Sequence, residues 1–94
     1  MDYISDILNK IISVLERSSE DDWLNIFKEI IKNYESLTND DEKEVYRRKL
    51  LRIYGGMGSF SDLVLYKNND VLHKENNELD ELRKELFEEL RRLL

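Results

Sequence analysis

The chain has 94 residues, a formal net charge of −6 and no cysteine. That length favours a single domain, residues 1–94, and the missing cysteine excludes disulfides and thiolate metal sites. Because negative charge repels phosphate groups, we expect a basic protein partner, with neither nucleic acid nor a membrane as the primary ligand. The acidic first residues and the lack of a long apolar run predict a cytoplasmic protein.

Apolar residues recur at helical spacing through the first half of the chain, which predicts three helices. The first is expected from about Asp2 to Arg17, and the second from about Glu20 to Ser36, with Ser19 as its N-cap. The third is expected to run to about Tyr54 and to end at the glycines that follow. The residues expected inside are Ile4, Ile7, Leu8, Ile11, Ile12, Leu15, Trp23, Phe27, Ile30, Ile31, Tyr34, Val45, Leu50, Leu51 and Ile53. Of the aromatic residues, Tyr46 lies off the apolar stripe and is expected to be exposed.

The second half of the chain begins with a break in composition at Gly55–Asp62, which holds all three glycines. Two short apolar runs, residues 63–66 and 71–72, then flank a polar turn, which favours a β-hairpin over the alternative of one additional helical turn. The last helix is expected from about Asn77 to Leu94, with Asp80–Lys84 and Glu88–Arg92 as i,i+4 ion pairs. Its expected inner residues are Leu79, Leu82, Leu86, Phe87, Leu90 and Leu93. The prediction is a mainly α fold, a small bundle of about four helices with a glycine-rich loop.

The residue types needed for catalysis are scarce. Nucleophilic catalysis needs a base beside the nucleophile, and the only histidine, His73, lies near a polar stretch where we expect it at the surface. A zinc site would have to draw nearly every ligand from carboxylates. We therefore predict that the protein is not an enzyme and has no catalytic residue, metal site or cofactor.

Charge is distributed unevenly along the chain. Residues 16–42 contain nine acidic and three basic side chains, whereas residues 43–52 contain five basic side chains and one acidic one. One interpretation is complementarity between neighbouring helices. The other is an acidic docking face near Glu20, with a partner bound by Asp21, Asp22, Asp40, Asp41 and Glu42.

The glycine-rich loop has two interpretations. Clustered glycines let backbone N–H groups surround an anion, so Gly55, Gly56, Gly58, Ser59, Ser61 and Asp62 form a candidate ligand or partner loop. A Walker loop, however, needs a lysine that this segment lacks. In the structural interpretation the glycines reverse the chain, at least one of them with positive φ, while Met57 and Phe60 fill the core.

Residues 53–65 read Ile-Tyr-Gly-Gly-Met-Gly-Ser-Phe-Ser-Asp-Leu-Val-Leu. This segment resembles the Gly-Gly-Met-Gly-Ser-Phe-Asn-Asp-Leu-Val signature of a family of small uncharacterised bacterial proteins, with Ser61 in place of the asparagine. The likeness extends to Trp23 and to residues 77–83, which lead into the last helix. The resemblance implies a solitary helical protein with no assigned chemistry.

These observations lead to a prediction about function. We expect a small acidic protein-binding inhibitor, an immunity or antitoxin protein that occludes a basic toxin surface. The alternative is a small-ligand-binding or phage-type anti-defence protein that uses the Gly55–Asp62 loop. A third alternative is a structural subunit that self-associates as a homo-oligomer through the terminal helix.

Overall fold

The computed structural model describes residues 2–55 and 58–93, so that Gly56 and Met57 of the predicted loop lie outside the described residues. Most described residues are helical, and the predicted mainly α fold of about four helices is confirmed. Two short 3-10 turns and a two-stranded antiparallel hairpin connect the third helix to the fourth. The elements in chain order are α1 Tyr3–Arg17, α2 Asp21–Ser36, α3 Asp40–Leu51, the 3-10 turns Arg52–Tyr54 and Phe60–Asp62, β1 Tyr66–Lys67, β2 Asp70–Val71, and α4 His73–Arg92.

Helix α1 lies at the centre of the fold because it packs against both α2 and α4. Its predicted apolar stripe is almost entirely buried. Val14 widens the stripe, so that α1 presents apolar side chains to neighbours on two of its sides. Helices α2 and α4 contribute the facing residues. Among the residues that the structure describes, the buried apolar ones are Ile4, Ile7, Leu8, Ile11, Val14, Leu15, Phe27, Ile30, Tyr34, Leu50, Phe60, Leu65, Leu79, Leu86 and Leu90.

The prediction that Ser19 caps α2 is wrong. The hydroxyl of Ser18 donates to the carbonyl oxygen of Val14 at 3.0 Å, and Ser19 then adopts a left-handed conformation with φ of 59°. This change of chain direction places the N-cap of α2 at Glu20, one residue after the predicted Ser19. The carboxylate of Glu20 accepts from the backbone N–H of Trp23 at 2.9 Å. In α3 the cap is Asn39, whose side-chain oxygen accepts from the backbone N–H of Asp41 and of Glu42.

Helix α3 is less buried than its sequence predicts. Leu50 is its one buried residue, and Val45, which was expected inside, is 66% exposed. Helix α3 packs against α4 and the following 3-10 turn, and its Tyr46 contacts Tyr34 of α2, but these contacts leave the side chain of Val45 largely uncovered. The prediction for Tyr46 is also wrong, because its ring is half-buried against Tyr34, with 6.1 Å between the ring centroids.

The predicted hairpin, and not an added helical turn, forms within residues 63–72, with strands at residues 66–67 and 70–71. Tyr66 pairs with Val71 and Lys67 with Asp70, which leaves Asn68 and Asn69 as a two-residue turn. Both asparagines have positive φ, 53° and 69°, as a type I′ turn requires, and asparagine tolerates that conformation better than most residues.

Helix α4 begins at His73, four residues before the predicted start at Asn77. The predicted i,i+4 ion pairs are also wrong. Asp80 forms its ion pair with Arg83, and Arg92 forms its ion pair with Glu89, both at i,i+3 spacing. The leucine stripe was predicted correctly, with Leu79, Leu86 and Leu90 fully buried.

Candidate functional site

The predicted partner-binding carboxylates lie at the N-terminal ends of two helices. Asp21 and Asp22 form the first turn of α2, and Asp40, Asp41 and Glu42 form the first turn of α3. All five side chains are exposed. Negative charge at these positions is also favourable for each helix, because the N-terminal end of a helix dipole is positive.

The structure does not bring these five carboxylates into one patch. Helix α2 has 16 residues, and with a rise of 1.5 Å per residue it spans about 24 Å. Asp21 and Asp22 stand at its beginning, whereas the first turn of α3 follows its end after residues 37–39. The sequence therefore predicted one acidic face, and the fold separates it into two acidic groups at opposite ends of α2.

Neither acidic group forms an ion pair with the basic residues of α3. Within residues 2–55 and 58–93, no ion pair joins an acid of residues 16–42 to a base of residues 43–52. Complementarity between neighbouring helices, the first interpretation of the charge pattern, therefore produces no ion pair between these two stretches of the chain. The ion pairs within residues 2–55 and 58–93 are Arg17–Glu78, Glu44–Arg48, Asp80–Arg83 and Glu89–Arg92.

Two basic residues of α3 are directed at an aromatic side chain of α2. The ammonium group of Lys43 lies 5.9 Å from the centroid of the Tyr34 ring, and the guanidinium of Arg47 donates to the Tyr34 hydroxyl at 3.4 Å. The Tyr34 hydroxyl in turn donates to the carboxylate of Asp2. These contacts join α3 to the beginning of α1 and the C-terminal part of α2 through one tyrosine.

A shallow groove lies beside the acidic group of α3. It encloses about 390 Å³. Its lining includes two of the predicted carboxylates, Asp41 and Glu42. It also includes three side chains that the functional prediction did not include, which are the exposed Val45 and Lys49 and the half-buried Tyr46. Leu37, which connects α2 to α3, completes the lining. The four-residue spacing of positions 41, 45 and 49 was available in the sequence, but it could not show that this face is left uncovered.

Three hydrogen-bond donors in the described part of the glycine-rich loop have partners within residues 54–62. The backbone N–H of Gly58 donates to the carboxylate of Asp62 at 3.1 Å. The hydroxyls of Ser59 and Ser61 both donate to the carbonyl oxygen of Tyr54, at 3.3 and 2.7 Å. These groups therefore have internal partners and are not arranged as a free anion cradle. Gly58 has φ of 74°, which confirms the prediction of a positive φ among the glycines.

Arg83 of α4 holds the loop against the core. One guanidinium nitrogen donates to the carbonyl oxygens of Phe60 and Leu63, at 2.7 and 2.9 Å. The backbone carbonyl of Arg83 accepts from the hydroxyl of Tyr54 at 2.8 Å, and burial raises the pKa of that hydroxyl above its usual range. No pattern in the sequence indicates Arg83, because its partners are backbone carbonyls distant along the chain.

A second groove, of about 490 Å³, lies where the loop meets α4. The ring of Phe87 packs edge-on against that of Tyr54, with 5.1 Å between centroids, and Ser61 and Lys84 stand at the margin. His73 lies elsewhere, exposed at the start of α4. Among the residues that the structure describes, no group of three or more His, Cys, Asp or Glu is placed to hold a metal ion. No helix within those residues is long and apolar enough to cross a membrane.

A known protein family matches the part of the chain that carries both acidic groups. A family model described as a domain of unknown function (DUF6966) matches residues 16–74, more than half of the chain. The chain belongs to this family. The DUF6966 segment contains α2, α3, the glycine-rich loop and the hairpin, whereas α1 and α4 lie almost entirely outside it. No curated protein and no solved structure matches the chain.

Proposed function

We propose that the protein is a small protein-binding inhibitor of the immunity or antitoxin type, which covers a basic surface of a toxin domain. One observation carries the proposal. The carboxylates in the first turns of α2 and α3 are exposed, and none of them forms an ion pair within the described residues. In a chain with a net charge of −6, they provide the concentrated negative potential that a basic partner would meet first.

The distance between the two acidic groups favours a partner with an extended basic surface. The groups are separated by the length of α2, about 24 Å. Duplex DNA presents one negative charge per about 1.7 Å along its whole axis. A protein that binds DNA therefore has basic residues spread over a length comparable to the separation of the two acidic groups. Two separated acidic groups fit such a surface better than they fit a single basic pocket. A toxin that acts on nucleic acid is therefore the partner class we favour.

Inhibition would follow from occlusion of the substrate-binding surface. Exposed charges mainly accelerate encounter, and most of the affinity in protein complexes comes from a few well-packed anchor residues. In this mechanism the acidic groups orient the inhibitor, and the toxin loses access to its substrate while the complex lasts. The protein itself carries out no chemistry in this proposal.

The experiment uses a purified basic toxin domain, taken first from any toxin-domain gene that lies directly upstream of this one. We expect its association rate with the inhibitor to fall as salt is raised from low to physiological concentration, where charges are screened over about 8 Å, and its dissociation rate to change less. The double variants D21K/D22K and D40K/D41K should each slow association. Both leave the helix caps Glu20 and Asn39 in place, and melting curves would verify folding. Association that is independent of salt and of both variants would reject the proposal.

The small-ligand alternative is favoured by one feature, the groove of about 490 Å³ beside the glycine-rich loop. A nucleotide or other small molecule that shifts the amide resonances of Ser61, Lys84 and Phe87, which line this groove, would support this alternative. Self-association through the terminal helix stays a separate prediction, which sedimentation equilibrium would test.

A further inference from the structure

The groove beside α3 has the surface geometry of a helix-packing site. Asp41, Val45 and Lys49 follow one another at four-residue spacing along α3, and Glu42 and Tyr46 form the adjacent row with the same spacing. Side chains four residues apart stand above one another on a helix, so these two rows are parallel ridges with a groove between them. The ridge of a second helix fits into a groove of this kind in the commonest class of helix packing.

The chemistry of the groove changes along its length. Leu37, Val45 and Tyr46 provide apolar surface, and Val45 is the most exposed of the large apolar side chains that the structure describes. Asp41 and Glu42 stand at one end, and Lys49 stands about two turns away at the other. A ligand complementary to this groove has an aliphatic side chain that packs in the middle of the groove. It also has a cationic side chain, one helical turn away, that lies at the acidic end of the groove.

We propose that this groove binds one amphipathic helix of the basic partner. The inference deepens the proposed function and rests on it for the charge of the partner. An aliphatic residue of the partner helix would pack on Val45 and Tyr46, while a lysine or arginine four residues away would lie against Asp41 and Glu42. A helix is the expected occupant because α3 offers side-chain ridges and no open strand edge, which an extended peptide would need for its backbone hydrogen bonds.

The test uses a synthetic peptide as the probe, and the complete chain as the receptor. The peptide has about 18 residues, with leucines along one face of a helix and lysines flanking them, and a second peptide of identical composition has a shuffled order without the stripe. We expect the amphipathic peptide to shift amide resonances of residues 37 and 41–49 in a labelled sample. The shuffled peptide should bind more weakly. Equal binding of the two peptides, or shifts confined to the first turn of α2, would overturn the inference.

A matched pair of variants separates the groove from general charge effects. V45K places a cation in the groove. V64K makes the same change at Val64, a second exposed valine, which lies shortly before the hairpin and outside the groove. We expect V45K to weaken peptide binding about tenfold or more, and V64K to change it by less than about twofold. Both variants should retain the wild-type melting temperature, because neither valine is buried. Similar weakening by both variants would overturn the inference.

The same variants distinguish failure of the groove from failure of the proposed function. If D21K/D22K and D40K/D41K slow association with the toxin domain but V45K leaves its affinity unchanged, the groove inference is wrong and the proposed function stands. If toxin association is independent of salt and charge, the proposed function is wrong whatever the peptide does.

Discussion

The side-chain amide of Asn76 binds both backbone groups of Leu65. Its oxygen accepts from the Leu65 N–H at 2.8 Å, and its nitrogen donates to the Leu65 carbonyl at 2.9 Å. The same nitrogen also donates to the carbonyl of Leu72 at 2.8 Å. Asn76 therefore completes the hairpin ladder at the strand ends and joins the hairpin to the first turn of α4, which fixes where that helix begins.

Replacement of Asn76 should loosen this junction. N76A leaves the N–H of the buried Leu65 without a partner, whereas the Leu65 carbonyl still accepts from the Leu72 N–H at 3.1 Å. An unsatisfied buried polar group costs about 1–3 kcal/mol. We expect the free energy of unfolding, measured by urea denaturation, to fall by that amount. N77A is the matched control because Asn77 is exposed on the same helix, and its effect should stay within about 0.5 kcal/mol. Equal stability of the two variants would contradict the role assigned to Asn76.

The glycines of the loop should respond unequally to alanine. Gly58 has φ of 74°, and nothing lies within 4 Å of an added Cβ, so G58A should cost about 1 kcal/mol through backbone strain alone. Gly55 has φ of −97°, and an added Cβ would lie 3.8 Å from its nearest neighbour, an ordinary contact. We therefore expect G55A to retain the wild-type melting temperature and G58A to lower it. The reverse order would show that strain does not explain the glycine at position 58.

Trp23 is a half-buried member of the core and not an isolated surface residue. Its ring centroid lies 6.2 Å from that of Phe27 and 5.4 Å from that of Phe60. W23A should cost about 3 kcal/mol, the lower end of the range for buried aromatic residues, because part of the ring is exposed. I26A, which removes an exposed side chain from the same helix, should cost about 1 kcal/mol or less.

The emission spectrum provides a second measurement on Trp23. We expect a maximum that is blue-shifted in the native protein and moves to the value for tryptophan in water on unfolding. A native maximum that already equals the unfolded value would show that the ring is exposed.

Stability should decline at alkaline pH through Tyr34. Burial of the side chain, together with the hydrogen bond that its hydroxyl donates to Asp2, raises the pKa of Tyr34 from 10.0 to about 12. Because the folded-state pKa lies above the unfolded value, the protonated hydroxyl stabilises the fold fully below pH 10, and this contribution is lost as the pH rises towards 12. Y34F should lack this loss. The difference between the tyrosinate titrations of wild type and Y34F should have its midpoint near 12, and a midpoint near 10 would contradict the assignment.

The helices and their inner faces could be predicted because periodicity is a local property. The spacing of Ile4, Ile7, Leu8 and Ile11 determines that these side chains share one face of a helix, whatever surrounds it. The polar turn at Asn68 and Asn69 likewise indicated the hairpin, since the residue types suit its backbone conformation.

Only the tertiary structure decided which faces are covered and which charges are neighbours. Val45 belongs to an apolar pattern but stays exposed, because the elements that pack against α3 leave this side chain largely uncovered. Asp22 and Asp40 belong to one acidic stretch, yet the length of α2 places them at opposite ends of a helix. Arg83 reaches Phe60 across 23 positions of the chain. Periodicity and charge are properties of short segments, so the sequence by itself determined the helices and the hairpin. Which faces are buried depends on the path of the whole chain, and so only the packing of these elements determined that the groove beside α3 is exposed.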